Sequence, residues 1–259
     1  MMRISGKILV VSPLHIGAGQ QGTTLSTVDN YVITRRMPDG TELPYIPGSS
    51  LKGAVRSTVE MILRGMPGAR VCDVIAKGRA CIHQTIKDDS GKEVKVEEKI
   101  KKLLESGDPE KIEEFLRSHL CEACKIFGNT SYASRAYFMD ATPSKDRDGK
   151  YIVYRGLRTG VAISREKGKV ETGKLFTTEY VEPSSMFDFQ ILLDGLEDYQ
   201  VGLILTALDW VNQGIVMLGG LKSRGMGRVK FIVEEPPEGE VKRYMEAFRR
   251  WMEQHAGQG

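Results

Sequence analysis

The chain has 259 residues, of which 41% are hydrophobic and 27% are charged, and its formal net charge is +3. These values are typical of a globular protein with a sizeable core, and they favour one large domain with insertions. The apolar run at the N-terminus is too short for a signal peptide, and no segment approaches the ~20 apolar residues of a membrane span. We therefore expect a soluble, cytoplasmic protein with no membrane partner.

The first half of the chain predicts two strands and one long helix, followed by a polar stretch. Residues 2–12 alternate and are rich in Ile and Val, and residues 30–36 resemble a second strand. A helix is expected from Ser49, a good N-cap residue, because the apolar positions that follow repeat at helical spacing. Residues 66–130 are polar and charged and contain helical patterns, so we interpret them as an insertion.

The second half of the chain predicts three further strands, two helices and a hairpin. The strands are expected at residues 135–142, 186–193 and 226–233, the helices at 196–212 and 238–253, and the hairpin within 145–182. Without the insertions, the order is strand, helix, strand, strand, helix, strand. This order predicts an α+β fold with a ferredoxin-like (RRM-like) core, the arrangement of many RNA-binding domains.

Two distant segments combine glycine with serine, lysine and arginine. PYIPGSSLKGAVR spans residues 44–56, and GGLKSRGMGRVKF spans residues 219–231. Backbone N–H groups at a helix N-terminus, hydroxyl groups and cations are all suited to phosphate. Together the segments predict one polyanion surface, whose candidate contacts are Ser49, Ser50, Lys52, Arg56, Lys222 and Arg224. The alternatives are an ordinary helix cap with solvated cations and a glycine-rich turn.

The local charge distribution also favours a polyanion. Residues 145–174 contain nine Lys and Arg against four Asp and Glu, a local net charge of +5. Such clustering is typical of nucleic-acid contacts, although a solvated loop would have the same composition. A nucleotide cofactor is disfavoured, because the GAGQQG at residues 17–22 is not followed by a helical pattern and no P-loop sequence is present.

Four cysteines and their histidine neighbours predict a metal site. Cys81 and His83 form a C-x-H pair, and Cys121 and Cys124 form a C-x-x-C pair, which are the residue types and local spacings of zinc ligands. The fourth ligand stays open, because Cys72 and His119 are further candidates. We expect a structural role, since a polar insertion lacks its own core and metal binding can supply folding energy. Scattered thiols are the alternative.

Two residues near the N-terminus are candidates for chemistry. Asp29 lies between a Ser/Thr-rich loop and a strand, and an Asp-Asn pair there is also a common turn former. His15 ends the first strand and can act as a general base or as an RNA contact, or it can simply terminate the strand.

These motifs resemble the RAMP superfamily of CRISPR-associated proteins, and most closely the repeated backbone subunit of type III (Csm/Cmr-type) effector complexes. The segments that carry the resemblance are LHIGAG at 14–19, VDNYVI at 28–33, PYIPGSSLKGAVRS at 44–57, CEACKIFGN at 121–129 and GGLKSRGMGRVKF at 219–231. They span nearly the whole chain, in the order shown by that family.

The resemblance implies a single RAMP domain over residues 1–259, with an RRM-like palm, a zinc-bearing helical insertion and a β-hairpin thumb within 145–182. It implies that copies stack head to tail along a guide crRNA, together with other type III effector subunits, and that the thumb interrupts the guide–target duplex. Lys52 and Arg56 match guide-backbone contacts, and Arg158 lies in the thumb candidate. Asp29 matches the residue that cleaves target RNA with a divalent cation, Mg²⁺ or Mn²⁺.

Two other functions stay open. The chain can be a non-catalytic, structural crRNA-binding subunit, or a free-standing RAMP endoribonuclease that processes guide precursors with His15. The processing enzymes usually lack the C-x-x-C insertion, which counts against the last alternative.

Overall fold

The structure is a computed structural model that describes residues 1–17, 30–74, 78–88, 90–163 and 170–256. Its strands are β1 (Met2–Val10), β2 (Thr34–Arg36), β3 (Glu42–Pro44), β4 (Thr85–Lys87), β5 (Glu93–Lys95), β6 (Ala136–Phe138), β7 (Thr142–Pro143), β8 (Arg155–Ile163), β9 (Val170–Val181), β10 (Met186–Leu193) and β11 (Val229–Glu235). Its α-helices are α1 (Gly48–Arg64), α2 (Val96–Ser106), α3 (Pro109–His119), α4 (Glu122–Phe127), α5 (Asp198–Asn212) and α6 (Glu238–Ala256). Two 3₁₀ turns span Cys81–His83 and Lys222–Arg224.

An antiparallel sheet forms the centre of the molecule. Its strand order is β11-β1-β10-β6, and β7 also pairs with β10. β1 pairs with β10 from Met2 opposite Leu193 to Leu9 opposite Met186, and with β11 on its other edge. Alternate side chains of β1 are buried, as the period of two in its sequence requires. The predicted combination of helices with antiparallel strands is confirmed.

Helices α1, α5 and α6 pack together beside this sheet. α1 buries Leu51, Val55 and Val59, which lie on one stripe of the helix as their spacing predicts. α5 is buried along most of its length because α1, α6 and β11 all contact it. The core therefore lies between the sheet and this helical layer.

Two segments are inserted in the chain between the elements of this core, and the first of them adds buried residues such as Val96, Ile100 and Leu116 to it. Residues 66–130 contain a 3₁₀ turn, the β4–β5 hairpin and helices α2 to α4. Within 145–182, β8 and β9 form a long hairpin that pairs from Arg155 opposite Val181 to Ile163 opposite Val170. None of the helices in the described ranges is long and apolar enough to cross a membrane.

The N-cap of helix α1 lies two residues earlier than Ser49, the cap that the sequence predicts. Its N-cap residue is Pro47, and no side chain of the cap residue bonds the helix. Ser49 is therefore inside the first turn and is not its cap. The N–H of Gly48 instead donates to the carboxylate of Asp140, with N and Oδ1 2.8 Å apart.

Candidate nucleic-acid interface and cysteine cluster

The carboxylate of Asp140 occupies the N-terminus of α1, where the sequence predicts a phosphate contact. Asp140 accepts from Gly48 at this helix N-terminus and also pairs with Arg35, with Nη1 and Oδ2 3.4 Å apart. Ser49 is exposed and Ser50 is half-buried on the same turn. Sequence reasoning missed Asp140, because residues 135–142 were predicted as one strand, whereas β6 ends at Phe138 and leaves Asp140 beyond its end. A phosphate at this turn would therefore share the helix end with a carboxylate.

The two predicted cations of α1 lie in different surroundings. Lys52 is half-buried, and its pKa is lowered by desolvation and then by the charge of Arg56. The Arg56 side chain is only 17% exposed and bonds Glu60, with Nε and Oε1 2.9 Å apart. The structure therefore turns Arg56 into the protein through an ion pair, whereas Lys52 has no acidic partner among the described residues.

The second glycine-rich segment folds against His15, which lies beyond the end of β1 at Val10 and does not end that strand as the sequence predicts. Gly219 has φ +79°, and a methyl group there would overlap the carbonyl oxygen of His15. The N–H of Gly220 donates to that same oxygen at 2.8 Å. The turn that follows holds Lys222 and Arg224, and both side chains are exposed. This glycine permits close approach to the protein's own backbone, and the turn beyond it presents cations.

The base of the β8–β9 hairpin meets this turn. The guanidinium of Arg224 lies 5.5 Å from the centre of the Phe176 ring, a cation–π arrangement. A groove of about 500 Å³ lies here. It is lined by Arg158, Thr159, Gly160, Phe176, Thr178, Leu221, Arg224 and Met226. The groove brings the predicted contacts Arg158 and Arg224 together, beside an aromatic ring that sequence reasoning did not single out.

His15 lies against the other side of the hairpin base. Its Nδ1 lies 2.7 Å from the carbonyl oxygen of Glu179. A carbonyl can only accept, so Nδ1 carries a proton. The Glu179 side chain is buried and accepts from the N–H of Val32 at 3.1 Å and from Arg155 at 3.3 Å. These bonds fix the imidazole relative to the hairpin.

Backbone hydrogen bonds connect the two predicted motifs into one framework. The N–H of Ile33 donates to Ile16, and that of Tyr45 donates to Ile33. Ile46 and Ala141 exchange bonds of 3.0 and 2.8 Å. The segment after β1 that contains His15 is thereby linked, through Ile33, to the segment that leads into α1.

The predicted catalytic residue Asp29 lies outside the described residues. The described chain resumes at Asn30, which forms a parallel bridge with Thr178 in β9. The N–H of Glu179 donates to the carbonyl of Asn30 at 2.9 Å. The residue after Asp29 is thus fixed at the hairpin base, beside the groove.

Four buried cysteines form a cluster that can hold a metal ion. The sulfur atoms of Cys72, Cys81, Cys121 and Cys124 all lie within 4.8 Å of one another. Two of the separations are 3.4 Å, from Cys72 to Cys124, and 3.7 Å, from Cys121 to Cys72. The pKa of Cys121 is lowered because the neighbouring thiols, Cys124 foremost, stabilise its thiolate, and the pKa of Cys124 is raised, first by its hydrogen bond to Cys121.

The cluster differs from the predicted ligand set at one position. Cys81, Cys121 and Cys124 come together as predicted, and Cys72 joins them in place of His83, which is exposed. His83 follows two buried residues on its 3₁₀ turn, which aims Cys81 inward and leaves the imidazole at the surface. His119 stacks on Phe115 with ring centres 4.2 Å apart and is not a member of the cluster.

The C-x-x-C segment is fixed to the helical layer by Glu122, one of the two residues between its cysteines. Glu122 accepts from the hydroxyl of Tyr199 at 2.9 Å and from the amide of Gln200 at 3.0 Å. It also pairs with Lys125, with Nζ and Oε1 2.6 Å apart. The cluster is therefore attached to the N-terminal turn of α5.

The chain resembles known proteins over most of its length. The family model described as "RAMP superfamily" matches residues 7–230. Three curated relatives, each 26% identical to this chain, carry the name "CRISPR system Cms endoribonuclease Csm3". The Enterococcus italicus protein aligns over 90% of this chain and 90% of its own length, and the Methanothermobacter thermautotrophicus protein over 91% and 86%. The Methanocaldococcus jannaschii protein aligns over 88% and 77%. The family match confirms the resemblance expected from the motifs: the chain belongs to the RAMP superfamily.

Proposed function

We propose that this chain is a guide (crRNA)-binding subunit of a type III CRISPR effector complex, and that it cleaves complementary target RNA with Asp29 as the catalytic residue. The observation that carries the proposal is the basic, aromatic groove between the hairpin base and the Lys222–Arg224 turn. The similarity to three proteins named as CRISPR endoribonucleases also supports the proposal. The partners are the guide, the target RNA, further copies stacked head to tail and other type III subunits.

The domain plan follows from the strand order. In a ferredoxin-like core, a helix follows the first and the third strand, and the strand order in space is 4-1-3-2. The order β11-β1-β10-β6, with α1 after β1 and α5 after β10, supports that core. We assign the palm to this core, the zinc-bearing insertion to residues 66–130 and the thumb to the hairpin within 145–182, all in one RAMP domain.

The guide backbone lies along the cations that remain accessible. Arg158 and Lys222 are exposed and have no acidic partner among the described residues. Arg224 lies over Phe176, and an aromatic ring beside cations suits an unstacked base next to phosphates. Lys52, with Ser49 and Ser50, extends the track onto the first turns of α1, and His15 borders it.

Target cleavage is a transfer between oxygens of the RNA itself. The 2′-hydroxyl attacks the neighbouring phosphorus, the bond to the 5′-oxygen of the next nucleotide breaks, and the proton lost by the 2′-hydroxyl is balanced by one gained at that 5′-oxygen. Asp29 assists by accepting the first proton or by holding a divalent cation. Mg²⁺ or Mn²⁺, when bound, supplies charge stabilisation at the phosphate.

The cysteine cluster fits a structural zinc ion. Tetrahedral coordination with Zn–S bonds of about 2.3 Å requires sulfur atoms roughly 3.8 Å apart. The observed separations of 3.4 and 3.7 Å are compatible with that spacing. Four protein ligands leave no position for substrate, so Cys72, Cys81, Cys121 and Cys124 would hold zinc for stability, with Cys72 in the place first predicted for His83.

The decisive experiment is target cleavage by the assembled complex that contains Asp29→Ala. We expect target binding to persist and cleavage to be lost. Asp39→Ala, which removes an exposed turn carboxylate, is the matched control and should cleave normally. Unchanged cleavage by Asp29→Ala would favour the non-catalytic subunit instead. Specific cutting of a repeat RNA by the lone chain would favour the processing enzyme.

A further inference from the structure

Arg56 was predicted as an RNA contact, but its guanidinium is directed into the protein. Its side chain is 17% exposed, whereas that of Arg64, two turns further along α1, is 55% exposed. Both arginines pair with Glu60, one from each side. The two arginines differ in the further contacts that their guanidinium groups make.

The remaining Arg56 nitrogens bond the segment that carries the C-x-x-C pair. Nη1 donates to the carbonyl oxygen of Gly128 at 3.0 Å, and Nη2 lies 3.8 Å from the sulfur of Cys124. The guanidinium carbon lies 5.9 Å from the centre of the Phe127 ring. The Arg56 side chain of α1 therefore contacts Cys124, Phe127 and Gly128, in α4 and at its C-terminal end.

The charge of the cluster explains why a cation is needed there. Four thiolates around one Zn²⁺ leave two negative charges in a buried position, and buried charge is costly unless it is paired and hydrogen-bonded. Arginine stays protonated in proteins and can donate in several directions at once, which a lysine ammonium does with less fixed geometry.

We infer that Arg56 is a positioning residue of the cysteine centre, which fixes the end of α4 to α1 and compensates the net negative charge of the metal-bound thiolates, and that it is not a guide-backbone contact. The inference rests on the proposed zinc centre. It assigns Lys52 and Arg56, four residues apart on one helix, to different tasks: Lys52 to the RNA and Arg56 to the metal.

The test compares zinc affinity and RNA binding in full-length Arg56→Gln, Arg56→Lys and the control Arg64→Gln. Zinc is titrated in competition with a chromogenic chelator, and Co²⁺ is substituted to record its thiolate charge-transfer band. Arg56→Gln should lose zinc affinity by roughly 10- to 100-fold and shift the Co²⁺ band. Arg56→Lys should recover part of the loss, and Arg64→Gln should match the wild type, because it removes a Glu60 partner without touching a cysteine.

RNA binding provides the second readout. Arg56→Gln should leave the dependence of log K on log salt unchanged, whereas Lys52→Ala should reduce its slope by about 0.7, the value for one contact to a single strand. Wild-type zinc affinity in Arg56→Gln, an equal loss in Arg64→Gln, or a reduced salt slope in Arg56→Gln would each overturn the inference. A wild-type chain that binds no zinc would overturn it together with the zinc centre. Failure of the wild type to bind guide RNA would instead count against the proposed function.

Discussion

Substitution by alanine at two glycines of helix α1, Gly48 and Gly53, should change the stability of the protein in opposite directions. A methyl group on Gly48 would overlap the carbonyl oxygen of Phe138 in β6 and would lie 2.9 Å from its carbonyl carbon. A methyl group on Gly53, which is exposed in the middle of the helix, would meet nothing within 4 Å. Gly48→Ala must therefore push the helix end away from the sheet, whereas Gly53→Ala has room.

The sizes of the two effects follow from these surroundings. Forcing an extra carbon into a packed site costs about 1–3 kcal/mol, and Gly48→Ala also strains the bond from Gly48 to Asp140. Alanine in place of glycine in a helix interior stabilises by about 0.5–1 kcal/mol. The free energies of unfolding of the two variants should therefore differ by roughly 1.5–4 kcal/mol. Urea denaturation followed by circular dichroism, with zinc present throughout, measures this difference.

A Gly48→Ala variant as stable as Gly53→Ala would refute the packing argument. The end of α1 would then be free to move from β6, and the glycine in the first motif would have to be explained by approach of a ligand.

Three further results are expected. Glu122→Gln should lose roughly 1.5–3 kcal/mol in urea denaturation, because a charged acceptor for Tyr199 and Gln200 is removed, while Glu114→Gln on the exposed face of α3 should change little. The pKa of Tyr199 is raised, first by burial and then by the charge of Glu122, so the folded state keeps a proton that the unfolded state releases. The contribution of Tyr199 to stability is thus present below about pH 10 and is lost as the pH rises above it. Between pH 9 and 11 the free energy of unfolding should therefore fall less steeply with pH in Tyr199→Phe than in the wild type, and equal slopes in the two proteins would contradict this. Lys222→Ala should reduce the salt slope of guide binding by about 0.7, whereas Lys230→Ala on β11 should not; equal slopes in these two variants would place the RNA elsewhere.

The regular elements were predictable because their signals are local. The period of two in β1 and the helical stripe of Leu51, Val55 and Val59 depend only on neighbouring residues, and the predicted strand at 186–193 matches β10 in its bounds. The cap of α1 was misplaced by two residues because the first N–H of the helix is satisfied by Asp140, 92 positions away, and not by a local side chain.

The site was less predictable because its contacts are long-range. Cys72 replaces His83 through packing that brings residues 72, 81, 121 and 124 together, and no local spacing encodes that choice. The orientation of Arg56 likewise depends on Gly128 and Cys124, far along the chain. Sequence reasoning located the cations correctly on the helix but could not determine which of them points inward.

The close contacts of Gly48 and Gly219 bear on how such motifs should be used to recognise function. Each glycine adjoins a carbonyl oxygen of this chain, that of Phe138 or that of His15. A related protein that no longer binds nucleic acid would still need both glycines to fold. A sequence search based on these glycines would therefore still find it. Whether such a protein still binds RNA would have to be judged from the lysines and arginines beside the glycines.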